Sequence, residues 1–195
     1  IIGLVRFDRT DRVSRSFIFF IAVGSLVDLV MWGLIYLEKT RYVLLIFNSY
    51  SLVEALFFFW FLWGTAPIDS TKTISKVLMY FTVPFWIVCV LIFPQLTKQI
   101  SGSAAFATVY YIITSVLAGF ALLQFVENEK SVFSNSSFWF TLGIFFCSFC
   151  TFYITTFLQT FISHQIWFLN NVFNIISYAF YSLSFWYLKV KPISG

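Results

Sequence analysis

The sequence predicts an all-α polytopic transmembrane helix bundle, with six complete spans and an N-terminal stub of a seventh helix. Three observations predict it. Apolar residues make up 60% of the 195-residue chain and charged residues 10%, against about 45–50% and about 25% in a soluble domain. That leaves too little polar surface to cover a water-soluble globule. The apolar residues are also gathered into six runs of 17–24 residues, and about 20 residues cross a hydrocarbon core of about 30 Å at 1.5 Å per residue. Finally, the runs do not alternate. Residues 55–63 are apolar on every face, whereas barrel strands alternate apolar and polar over about ten residues.

The elements follow in order. Residues 1–5 are apolar but too short to span, and neither a basic segment before them nor a small-residue cleavage site after them marks a signal peptide. They are read as the end of a preceding helix. The first full span is 17–37. A four-residue turn, 38–41, leads into the second, 42–63. The third, 77–93, contains Pro84, which is expected to kink it while neighbouring helices satisfy the freed carbonyl. The polar turn Ser101-Gly102-Ser103 precedes the fourth, 104–126, and another at 134–137 precedes the fifth, 138–161. The sixth is 167–188. Loops this short make sequential helices antiparallel neighbours, so 1–195 is a single transmembrane domain whose first partner is the lipid bilayer.

Orientation follows from the basic residues. Arg6, Arg9, Arg12, Arg15, Lys72, Lys76, Lys130, Lys189 and Lys191 fall on one side, and Lys39, Arg41 and Lys98 on the other, nine against three. The positive-inside rule places the first group and the C-terminus in the cytoplasm. The net charge of +4 is explained by these loops and lipid head groups, without nucleic acid. Trp139, Trp167 and Trp186 near span ends fit an interfacial aromatic belt.

Two carboxylates stand inside spans, Asp28 in the first and Glu54 in the second. A charge at that depth costs several kcal/mol unless it is paired, protonated or solvated in a cavity. Counted from the outer ends, their levels differ by only about 5 Å, so they could meet near the midplane. Two carboxylates in contact cannot easily both ionise, and at least one is expected to be neutral. A shared proton would suit a relay; a protonated acid hydrogen-bonded to a neighbouring helix is the structural alternative. Both acids are expected to face the bundle interior. In the last span Asn171, Asn174, Tyr178 and Tyr181 share one helical face. Asn48 lies at similar depth in the second. Asp28, Glu54, Asn48, Asn174 and Tyr178 are therefore the candidate ligand- or proton-binding residues, with Asn48, Asn174 and Tyr178 the expected partners of the acids. Asn170 and Ser177 are read as interhelical hydrogen-bonding residues, and His164 as a solvated residue of an outer loop.

No catalytic residue, metal-ligand set or cofactor is expected. Cys147 and Cys150 form C-x2-C but lack the further ligands of a structural zinc, and with Cys89 they are read as packing residues. No span carries a mid-depth lysine for a Schiff base, one histidine cannot supply paired haem ligands, and no G-x-S-x-G, H-E-x-x-H or phosphate loop occurs.

Phe93-Pro94-Gln95, followed by Lys98 and Ser101-Gly102, resembles the proline–glutamine loop of small sugar and amino-acid transporters. That family repeats the motif in a second three-helix unit, and here no second Pro-Gln exists. More of the chain resembles a family of heptahelical bacterial inner-membrane proteins, some of them encoded next to sensor kinases. The stretches that carry this resemblance are IIGLVRFDRTDRVSRSF, FNSYSLVEALFFFW, SSFWFTLGIFF and WFLNNVFNIISYAFYSLSFW. It implies seven helices and a signalling role, and no catalytic residues.

The functional expectation is a non-catalytic sensory or ligand-binding membrane module that signals through its cytoplasmic side to a membrane or cytoplasmic protein partner. The alternatives are a small-solute or proton-coupled transporter with Asp28 and Glu54 as coupling acids, and an accessory subunit of a larger complex. A continuous water path would favour transport, a closed cavity a sensor, and a solid bundle the accessory role.

Overall fold

Helix termini in this chain are written in local chemistry. After Tyr36 the Lys39 N–H reaches back to the Leu34 carbonyl (2.8 Å) and the Glu38 N–H to Ile35 (3.0 Å), while Glu38 takes φ 56°. This is a left-handed helix cap with glutamate where glycine is usual. Pro67 ends the second helix by holding Ala66 extended, ψ 138°. Asp69 opens the third, favourably placed for the helix dipole, with Lys72 beside it at 2.9 Å. Asn135 caps the fifth, its Oδ1 accepting the Ser137 N–H (2.8 Å).

The computed structural model describes residues 12–92, 102–157 and 163–187. Within them lie six α-helices: α1 (Arg12–Tyr36), α2 (Thr40–Thr65), α3 (Asp69–Trp86), α4 (Gly102–Asn128), α5 (Ser136–Phe157) and α6 (Ser163–Tyr187). A π-helical segment, Ile87–Ile92, continues α3 just after Pro84, where the missing N–H breaks the regular ladder. The stub at 1–5, the Pro94-Gln95 motif, Lys98, Lys189 and Lys191 lie outside the described residues.

The first five helices contain stretches long and apolar enough to cross a membrane: Val13–Tyr36, Arg41–Thr65, Asp69–Ile92, Ala105–Asn128 and Ser136–Ile154. Helix α6 matches them in length, 25 residues, but not in apolarity, because Asn170, Asn171 and Asn174 interrupt it. The sequence reading had counted it with the others. It had also placed His164 in a loop, whereas α6 already includes that residue.

Packing runs in the order expected of short loops, α1 on α2, α2 on α3, α4 on α5 and α5 on α6, with α2 also touching α4 and α5. Buried positions at helix contacts are rich in small residues: Ser75, Ala118, Ala121, Thr141, Ser148 and Ser184 are all fully covered. Large apolar side chains such as Phe19, Leu29, Phe81, Leu123 and Ile175 face outward. Small residues inside and large apolar residues outside is the packing of helices in lipid, where close backbone approach replaces the hydrophobic drive. Ser75 bonds to Thr71 O (2.8 Å) and Thr141 to Ser137 O (2.8 Å), Ser184 reaches across to Ser136 O (2.7 Å), and the Ser148 hydroxyl is buried without a partner among the described residues.

One aromatic cluster fills the bundle toward the end where α1 and α5 begin and α2 and α6 finish. Phe17, 0% exposed, touches the rings of Phe20, Phe57, Phe61, Phe140 and Tyr181 at centroid distances of 4.3–6.2 Å. Each such pair contributes about 0.5–1.5 kcal/mol beyond its buried area. The cluster ties α1 to α2, α5 and α6, and above it α1 takes part in a cavity.

Candidate functional site

A cavity of about 510 Å³ lies between α1, α2, α5 and α6, with one wall residue from α4. It reaches from Ile35 and Val43, beside the α1–α2 turn, down to Phe20, Phe58 and Tyr181 at the aromatic cluster. The helical repeat explains which residues line it. On α1 the positions Ile21, Gly24, Asp28, Met31 and Ile35 return every three or four residues to one face, and on α2 Phe47, Tyr50, Glu54 and Phe58 do the same.

A Cβ at Gly24 would sit 2.5 Å from the Tyr50 hydroxyl, so a larger residue there would push the end of that ring away from α1. The Tyr50 ring also stacks on Phe20, centroids 6.1 Å apart. One turn further along α2, Glu54 turns its Oε2 to α4, where two consecutive tyrosines donate to it. The Tyr111 hydroxyl lies at 3.0 Å and the Tyr110 hydroxyl makes the second bond. Their rings touch, centroids 4.0 Å apart, and both residues are buried. Consecutive helical residues diverge by about 100°, so both reach one oxygen only because Glu54 enters between them. Tyr111 faces the cavity with Glu54. Tyr110 instead joins the wall of a second, almost wholly apolar cavity of about 470 Å³ beside Pro84, Phe85 and Phe106.

Asp28 lies on the cavity wall, exposed, and among the described residues it has neither a hydrogen-bond nor an ion-pair partner. Among the described residues no lysine, arginine or histidine lines the cavity.

Four of the five candidates thus come together around one space: Asp28, Glu54, Asn174 and Tyr178. Asn48 does not join them. Six residues from Glu54, it points about 120° away around the helix. Its carbonyl accepts the Trp86 Nε1–H (2.9 Å) and the Ser51 hydroxyl (2.8 Å), and its Oδ1 is buried without a partner. Asn48, Asn174 and Tyr178 are expected from the sequence to reach the acids directly or through water; the direct hydrogen bonds to Glu54 come instead from Tyr110 and Tyr111. Ser177, assigned to packing, lines the cavity while bonding to Phe173 O (3.0 Å). The side chains of His164, Asn170 and Asn171 lie outside the described residues.

The sequence reading missed several wall residues. Tyr110-Tyr111 stands out as paired hydroxyls in an otherwise apolar run, a signal that was available. Tyr50 and Gly24 carried none without a neighbour. Cys147, read as packing, is half-buried on the cavity wall, whereas its C-x2-C companion Cys150 is buried in the helix contacts. Among the described residues no group of three or more His, Cys, Asp and Glu is placed to hold a metal ion.

No family model, curated protein or solved structure matches this chain. What it does is therefore argued from the cavity itself.

Proposed function

We propose that the chain is a non-catalytic, membrane-embedded ligand-binding module that takes a small molecule into the cavity between α1, α2, α5 and α6. The observation that carries this reading is a space of ligand size, about 510 Å³, which holds both intramembrane acids and is bordered by Phe20, Phe58 and Tyr181 at the Phe17 cluster. Small-molecule sites occupy about 300–1,000 Å³ and combine apolar walls with a few polar groups; here those groups are Asp28, Glu54, Asn174 and Tyr178. In this reading α6 is the sixth membrane crossing, its Asn174 turned to the cavity instead of to lipid. The positive-inside distribution puts the mouth on the outer face and the C-terminus in the cytoplasm. A ligand that bridges α1 and α6 would change their spacing above the cluster, and through Phe17 and Tyr181 that change reaches the cytoplasmic ends, where a protein partner would read it.

Transport requires the aromatic cluster to open. The two readings separate by labelling with a neutral membrane-permeant thiol reagent in competition with an impermeant quencher added to one side only. Met31→Cys, on the wall near the mouth, should be protected by quencher outside; Ser184→Cys, buried on the far side of Tyr181 from the cavity, should stay unlabelled from either side. Labelling of Ser184→Cys under conditions where the fold is intact would favour transport over sensing. Failure of Met31→Cys to label at all would remove the cavity reading.

A further inference from the structure

Resting on that ligand-binding reading, we infer that the cavity recognises a small organic cation, an ammonium or guanidinium group carried on an apolar body. The charge complement is one-sided. Among the described residues the wall presents two carboxyl groups and no basic side chain, and the two acids are not equivalent. Glu54 already accepts hydrogen bonds from Tyr110 and Tyr111, whereas Asp28 has no partner among the described residues. A partnerless carboxyl group in a span is costly, and a bound cation supplies the missing partner.

The remaining wall suits an organic ion better than a metal. Trp32, Phe47, Tyr50 and Tyr178 all border the space, and a cation over such rings gains about 0.5–2 kcal/mol. Calcium needs about six to eight oxygen ligands, and no group of three acidic, histidine or cysteine side chains is assembled here. Below the acids the cavity is lined by Phe20, Ile21 and Phe58, which would cover the apolar body. The arrangement therefore has a charged level at Asp28, an orienting level at Asn174 and Tyr178, and an apolar floor.

The test uses the full chain in nanodiscs of zwitterionic lipid, carrying Met31→Cys with Cys89, Cys147 and Cys150 replaced by alanine. Rates of modification by cationic, neutral and anionic methanethiosulfonates are measured and divided by their rates with a free thiol in solution. The cationic reagent should be favoured over the anionic one by about tenfold or more. Asp28→Asn should abolish most of that preference without changing the neutral rate. Butylammonium should protect the cysteine at concentrations where butanol does not. If Met31→Cys unfolds the protein, Ile35→Cys, one turn nearer the mouth, gives the same readout. A normal neutral rate with no charge preference, or equal protection by butanol, would overturn the cation assignment and leave the cavity reading standing. No reaction with any reagent at either position would overturn both.

Discussion

Replacing Glu54 in two ways should separate its hydrogen bonds from its charge. Glutamine keeps a carbonyl oxygen where Oε2 stands, so Tyr110 and Tyr111 retain an acceptor; the change should cost less than about 1 kcal/mol, the scale of one ordinary net hydrogen bond. Leucine removes the acceptor and strands two hydroxyls. A buried donor left unsatisfied costs about 1–3 kcal/mol. Tyr110 is 2% exposed and turns its ring to an apolar cavity, so it bears the full penalty. Tyr111 borders the polar cavity, where water can replace part of the loss. Glu54→Leu should therefore destabilise by about 2–4 kcal/mol in total. Adding Tyr110→Phe to Glu54→Leu removes one stranded hydroxyl and should return about 1–2 kcal/mol, a coupling well above the roughly 0.3–0.5 kcal/mol expected of independent sites. Reversible unfolding in mixed micelles of rising SDS fraction, followed by circular dichroism, measures all four states of the cycle. If leucine and glutamine are equally tolerated, or the coupling is nil, the tyrosines are not held by Glu54 and the geometry of the site is wrong.

Gly143→Ala should destabilise by about 1–3 kcal/mol in the same assay, because its Cβ would overlap the Tyr181 ring beside the aromatic cluster. Gly33→Ala, with open space around it, should be neutral or stabilising by up to about 1 kcal/mol; equal effects of the two changes would refute the packing described around Tyr181. Glu38→Gly should relieve the left-handed cap after α1 and raise stability by a few tenths of a kcal/mol to about 1 kcal/mol, and a loss on melting would count against that cap. Trp86→Phe deletes the bond to the Asn48 carbonyl that ties α3 to α2, and a loss of about 1 kcal/mol is expected, measurable in the same unfolding series.

The six helices among the described residues, and their order, were legible because long runs of apolar chain mark them, whatever the rest of the fold does. What hydropathy cannot see is helix outside those runs. Helix α3 starts at Asp69, not near residue 77, since Asp69, Ser70, Thr71, Lys72 and Thr73 are polar yet helical. Depth along each helix was legible too, and it rightly grouped Asp28, Glu54, Asn174 and Tyr178. Face was not. Asn48 and Tyr50 differ by two residues and so point about 200° apart; nothing in the run 42–63 says which of them meets α1. Nor does loop length reveal contacts between non-sequential helices, and Glu54 finds its partners through such a contact, α2 with α4.

The two acids also exchange importance once their surroundings are known. Judged by its flank of unbroken apolar residues, Glu54 is the stronger functional candidate of the pair. In the folded chain Glu54 has a sufficient structural role, because it satisfies two buried tyrosine hydroxyls that would otherwise be stranded between α2 and α4. Its presence would be understandable even if nothing ever bound. Asp28 has no such role: it stabilises no neighbour among the described residues, and it stands exposed on a cavity wall at a depth where an unpaired carboxyl group is costly. On the proposed binding reading, a ligand supplies the partner that Asp28 lacks among the described residues, so variants at Asp28, not at Glu54, decide between a binding site and a structural polar network.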